Sequence, residues 1–199
     1  MTVYATEPTW ARLVAESLVC TEANGVDVVD AILIDELESN YLPFERARRL
    51  REAGVGARVL VPNIVSRPGA TENLSATFVE LLARLSRVGD IEVVPVVEAE
   101  PISLNVALQL RQYLTEHEIR SVAVVAQRFR SERSMLIYRA VLEPAGVATR
   151  CVPVEGTRTP DTWTQTWHGV QDVALQFMKL QYYRFYILPF RSGGSAGGQ

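Results

Sequence analysis

Ser121-Val122-Ala123-Val124-Val125-Ala126-Gln127-Arg128-Phe129-Arg130-Ser131-Glu132-Arg133-Ser134 is the stretch that decides the fold. Its first part, Ser121–Ala126, is β-branched and apolar nearly throughout instead of alternating, the mark of a strand covered on both faces. Its second part turns polar and leads into Met135–Leu142, which carries apolar residues at helical spacing and is followed by Pro144 and Gly146. A doubly covered strand that runs into a helix is the unit from which parallel sheets are built.

The same unit recurs along the chain. Val28–Ile34, Ala57–Pro62, Ile91–Val97 and Ala148–Val154 are four further strand-like runs. Between them, Phe44–Ala53 places Phe44, Ala47 and Leu50 on one face, and Gly54 stops the helix. Thr71–Val88 carries a stripe of Leu74, Phe78, Leu81, Leu82 and Leu85, and Leu104–Leu114 turns Leu104 and Leu108 inward. Strands alternating with helices imply right-handed crossovers, and so an α/β domain: a three-layer, Rossmann-like fold with a mainly parallel sheet of about five strands. Thr9–Thr21 reads as an added amphipathic helix that buries Trp10, Leu13, Val14, Leu18 and Val19. About Trp163 to Tyr186 reads as a long, aromatic final helix, and Ser192–Gln199 as a disordered tail. No internal repeat or linker divides the chain, so residues 1–191 are predicted to form one domain.

The totals agree with a globular chain. Apolar residues make up 48% and charged residues 22% of the 199, unlike a disordered composition. Twenty Lys+Arg against 23 Asp+Glu give a net charge of −3, which argues against a nucleic-acid binder that works by bulk charge. Cys20 and Cys151 are too few for a disulfide framework or a structural zinc site, and read as small buried apolar residues. There is no basic n-region before an apolar run and no stretch near 18 apolar residues, so a cytoplasmic protein without a membrane span is expected.

In an open parallel sheet, ligands bind outside the carboxyl ends of the strands. After the first strand, Asp35-Glu36-Leu37-Glu38 offers carboxylates suited to a metal, a ribose or general-base work, with Asp35 closest to the strand and Glu38 behind it. After the second, Asn63 stands at the strand end and Arg67 is within reach of an anion. No GxGxxG or GxxxxGK[ST] occurs, which weighs against a standard dinucleotide or P-loop enzyme. After the third come Glu98, a second candidate base, and Ser103 and Asn105, suited to capping a helix or donating to a ligand. The fourth loop carries the strongest signal: Arg128, Arg130 and Arg133 surround a helix start that Ser131 is expected to cap, and backbone N–H groups there already favour an anion. His168 is the histidine nearest these loops, and no Ser-His-Asp spacing or metal-ligand cluster accompanies it.

The order of these parts resembles the YdcF-like family, whose members include SanA and ElyC. Four features carry the resemblance: Glu45-Arg46-Ala47 with its helix ending at Ala53-Gly54; Ala57-Arg58-Val59-Leu60-Val61; Asn105-Val106-Ala107, like the family's Glu-Asn-Ala; and Val124 to Arg133, similar to Val-Thr-Ser-x-(Phe/Tyr)-His-x-x-Arg. Trp167, Lys179 and Tyr182-Tyr183 are similar to the family's close. This chain departs from the pattern at Asp35-Glu36, where the family has glycines, at Ala126-Gln127 for Thr-Ser, and at Arg130 for histidine. The resemblance implies a nucleotide-like ligand such as S-adenosylmethionine, with Arg133 and Asn105 carried over.

Three functions follow as expectations. The first is a binding protein for a small anionic ligand, with Asp35, Asn63, Asn105, Arg128, Arg130, Ser131 and Arg133 at the site. The second is an enzyme acting on phosphorylated or nucleotide-linked substrates in envelope or polysaccharide metabolism, with Asp35 or Glu98 as base. The third is a non-catalytic interaction protein that uses its aromatic C-terminal helix as a contact surface, including contact with its own copies.

Overall fold

The computed structural model describes residues 7–22, 27–35, 41–65 and 74–192. Helix α1 (Glu7–Glu16) precedes four strand–helix steps and a fifth strand: β1 (Ala31–Ile34), α2 (Leu42–Glu52), β2 (Arg58–Val65), α3 (Leu74–Ser86), β3 (Glu92–Val97), α4 (Ile102–Glu116), β4 (Ser121–Gln127), α5 (Arg128–Leu142) and β5 (Ala148–Val154). A 3-10 turn (Trp163–Gln165) leads into α6 (Trp167–Tyr182), which passes through a π turn (Tyr183–Ile187) to the short α7 (Leu188–Ser192). The sheet order is β3-β2-β1-β4-β5, and every neighbouring pair is parallel.

The strands are apolar on both faces because both faces are covered. Ala31 and Leu33 of β1, with Leu60, Val122 and Val124, pack under α4 and α5. Ile32 and Ile34, with Val59, Val61, Ala123 and Val125, pack under α2 and α3. The result is the three-layer, Rossmann-like architecture that the strand runs predict. Turn chemistry sets the helix ends: Gly54 takes φ +74° after α2, and Gly146 takes φ +80° before β5, conformations that cost glycine least.

Several helix faces differ from the expectation. In α3 the buried residues are Val79, Leu82 and Ala83, while Phe78, Leu81 and Leu85 face outward. In α1, Ala11 and Ala15 face the core and Trp10 and Leu13 stay exposed; the helix ends at Glu16, five residues short of the predicted Thr21. Small side chains let α1 lie close to Trp163, whose indole Nε1 donates to the Ala11 carbonyl at 3.1 Å. The C-terminal helix begins at Trp167, where the Thr166 side chain accepts from the Gly169 amide. The predicted tail falls, from residue 193, outside the described residues.

The cysteines are the clearest correction. Both are buried, but they are not separate apolar fillers: Cys20 and Cys151 form a disulfide that ties the end of the N-terminal segment to β5. The fold places them on the same side of the sheet, 131 residues apart in sequence, a proximity that spacing alone does not reveal.

At the opposite end of the sheet, Glu92 ties the edge strand β3 to its neighbour β2 and to α4. It accepts from Arg58 Nε and Nη2 at 2.8 and 2.6 Å and from the Tyr113 hydroxyl at 3.0 Å. The Arg58 hydrogen bond, more than any other contact, holds its carboxyl below the usual range. A carboxyl depressed by folding stabilises the native state above its unfolded pKa, and that contribution is lost as pH falls through the folded value. Glu92→Gln is therefore expected to cost about 1 kcal/mol at neutral pH, since the pair is only partly buried. In urea titrations the gap to the parent protein should close from about pH 4.5 downward; a gap that persists at pH 2 would refute the assignment.

Candidate functional site

In this strand order the chain changes direction between β1, whose helix crosses one face, and β4, whose helix crosses the other. The crevice at such a switch point is where an open α/β sheet binds ligands. Asp35 stands there as the first residue past β1, its amide donating to the Val125 carbonyl of β4 at 2.9 Å. Side chains alternate between faces along a strand. After Leu33 on the α4–α5 side, Asp35 therefore turns to that side as well. Its carboxylate accepts from the hydroxyls of Ser134 and of Tyr138, the latter at 2.9 Å. Burial, and next the adjacent Asp35 charge, push the Tyr138 phenol well above its usual value, so it remains a proton donor to Asp35.

The three arginines in the first two turns of α5 take three directions. Arg133 is 6% exposed and points inward: Nη1 donates to Ser103 Oγ of α4 at 3.2 Å and Nη2 to Gln176 Oε1 of α6 at 3.3 Å. Its guanidinium also lies over the Tyr183 ring, 5.9 Å from the centroid, so one side chain joins α4, α5 and α6. Arg130 is half-buried, and its positive charge, with that of Arg133, acts on the Tyr138 phenol beside Asp35. Arg128 turns the other way and forms an ion pair with Glu155, which follows β5.

Ser131 does not cap the helix. Strand β4 passes directly into α5 at Arg128, so Ser131 lies one turn inside, fully buried. Its hydroxyl donates to the Arg128 carbonyl at 2.6 Å and accepts from the Cys20 amide at 3.0 Å. The Glu132 amide in turn donates to the Leu18 carbonyl at 3.0 Å, so the segment after α1 is fastened to the start of α5.

A cavity of about 240 Å³ opens where β4 and β5 end, lined by Gln127, Arg128, Phe129, Glu155, Arg158 and Asp172 among others. Both of its arginines have a carboxylate beside them, Glu155 at Arg128 and Asp172 at Arg158, the latter 3.8 Å away. Glu155 also borders a neighbouring hollow of about 200 Å³, which Arg46 and Arg49 of α2 enter. Among the described residues no three His, Cys, Asp or Glu side chains gather as a metal-binding group, and no helix is long and apolar enough to cross a membrane.

The other predicted residues are more dispersed. Strand β2 runs on to Val65, so Asn63 is inside it, buried and paired in register with Pro95. Its parity with Val59 and Val61 puts it on the α2–α3 side, across the sheet from Asp35. Asn105 donates to the Val97 carbonyl at 2.6 Å and, with Gln109, clamps the end of the edge strand β3. Glu98 is exposed beyond that edge strand, with β2 standing between β3 and β1. His168 is exposed on the first turn of α6. Glu36, Glu38 and Arg67 lie outside the described residues.

Ser134, Tyr138, Gln176, Glu155 and Arg158 complete the arrangement and were not anticipated from sequence. Two signals point to all of them but Gln176. Ser134 and Tyr138 are one helical turn apart, on a face that also carries buried Val141. Glu155-Gly156-Thr157-Arg158 follows β5 directly, where the strand-end rule applies as it does to the other four loops.

No protein-family model, curated protein or solved structure matches the chain.

Proposed function

We propose that this chain is a small-molecule binding protein of the YdcF type, taking an anionic ligand at the carboxyl ends of β4, β1 and β5. The ligand class is nucleotide- or phosphate-like; S-adenosylmethionine, a nucleoside sulfonium whose one negative group is its carboxylate, is tested beside it because the YdcF resemblance points to it. The observation that carries this reading is the placement of Arg128, Arg130 and Arg133 on the first two turns of α5, at the switch point between β1 and β4, although their side chains leave the helix in different directions. Guanidinium groups at a helix N-terminus oppose the helix dipole, and a negative ligand reverses that cost. Asp35 fits an orienting role, since Ser134 and Tyr138 fix its carboxylate.

An enzyme acting on phosphorylated substrates has less support. The Asp35 carboxylate is held by two hydroxyl donors, and Glu98 is exposed beyond the edge strand, so among the described residues neither candidate base stands free beside the arginines.

Thermal-shift titration with inorganic phosphate, ATP, S-adenosylmethionine and a sugar phosphate tests the binding reading. At least one is expected to raise Tm progressively with concentration, and Arg128→Ala with Arg130→Ala should abolish the rise. If none stabilises the protein at millimolar concentration, the reading fails.

A further inference from the structure

The outer face of α6 and its continuation is unusually apolar. Trp167, Leu175, Met178, Tyr182, Phe185, Tyr186 and Phe190 are each between 41% and 74% exposed. Most recur at three- and four-residue steps, as a stripe along one side of a helix requires. The rings are in contact: Tyr182 stacks on Tyr186 with centroids 5.4 Å apart, and Tyr186 meets Phe190 at 5.6 Å. From Ala174 to Tyr182 no exposed residue is charged. The opposite side of the same helix is fully engaged, with Val173, Gln176, Leu180 and Tyr183 buried.

We infer that this face is the interface of a homodimer, in which the α6 stripe of one copy packs on the α6 stripe of a second. Area supports the match. A whole aromatic side chain presents about 200 Å². At the exposures above, the seven residues offer roughly 800 Å², the contribution each partner makes to a standard interface. Composition supports it too, since interface centres are enriched in Tyr, Trp, Phe and Met and depleted in charge.

The scarcity of charge along the middle of this face, where Lys179 is half-buried, favours a second copy over other occupants. A two-fold axis brings a patch onto itself, so any exposed charge near the axis would meet its own kind; an apolar stripe meets no such penalty. A lipid surface would call for cations flanking the aromatic face. Here Arg184 is paired with Glu132 and the whole chain carries −3, so attraction to anionic lipid is weak.

Light scattering on the full, ligand-free chain at tens of micromolar tests the inference. The expected mass is twice the 22.1 kDa of one chain. Met178→Glu combined with Tyr186→Glu should return the single-chain mass with unchanged circular dichroism. The milder pair Tyr182→Ser and Phe190→Ser, which introduces no charge, should weaken dimerisation at least tenfold. Trp167 emission should move to the red on dilution of the parent protein and not of the variants. A parent protein that is monomeric overturns the inference, whether or not it sediments with vesicles of phosphatidylcholine and phosphatidylserine. A dimer that persists in both variants overturns it as well. Because no ligand is present, failure here leaves the anion-binding test untouched.

Discussion

Reducing the Cys20–Cys151 disulfide is expected to lower the unfolding free energy by about 4–5 kcal/mol, a large share of what a domain of this size possesses. The bridge joins residues 131 apart, and in the chain-entropy account the restriction on the unfolded chain grows with the logarithm of the enclosed length. The folded chain should change little, because the same segment is also held by the Cys20 amide on Ser131, the Glu132 amide on Leu18 and the Trp163 indole on Ala11. Urea unfolding with and without dithiothreitol measures the difference, and Cys20→Ser with Cys151→Ser should reproduce the reduced curve. Superimposable curves, or two thiols titrating in unfolded protein that was never reduced, would defeat the expectation. The contribution also depends on compartment, since such bonds persist where the surroundings are oxidising and open where glutathione keeps thiols reduced.

The second large effect concerns Arg133. Truncation to alanine is expected to destabilise the protein by about 3 kcal/mol. It leaves the half-buried Ser103 and the buried Gln176 without their donor and empties the space over the Tyr183 ring. Lysine should recover little of this, because a single ammonium cannot reproduce the planar fork or the stack. Methionine is the informative variant. It fills much of the volume without a charge, and replacing a buried charge by a well-packed apolar group is often tolerated. Arg133→Met should therefore melt within a few degrees of the parent while its response to phosphate or nucleotide falls. A variant that melts normally and still responds fully would remove Arg133 from the site.

The strands were legible because a doubly covered sheet requires runs such as Val122–Val125 and Leu60–Val61 that no exposed segment tolerates. Helix faces were less so. In α3 both sides carry large apolar residues, and pattern alone does not say whether Leu82 or Leu81 meets the sheet. In α1 the approach is made by Ala11 and Ala15, which a search for bulky residues passes over. The strand-end rule put Asp35 and the start of α5 at neighbouring strand ends, where the structure has them, but not the directions in which the arginines turn. It placed Asn63 poorly because two further residues of β2 move a strand end and decide the face. The inward turn of Arg133 had a readable cause: it is four residues from both Phe129 and Ile137, each buried. Contacts such as Gln176 on Arg133 join residues 43 apart and depend on how α6 docks, which no local pattern encodes.

Helix α6 is shared between the two ends of this molecule's chemistry. On its inner side Gln176 holds Arg133; on its outer side, one and two residues away, stand Leu175 and Met178. A ligand that drew the guanidinium toward the strand ends would loosen the inner hold on α6, and so alter the footing of the outer stripe. Thermodynamic reciprocity then makes the two events one equilibrium: whatever factor ligand imposes on self-association, self-association imposes on ligand affinity. With the proposed ligand and the inferred dimer both in place, the two-faced helix would make binding depend on how concentrated the protein is.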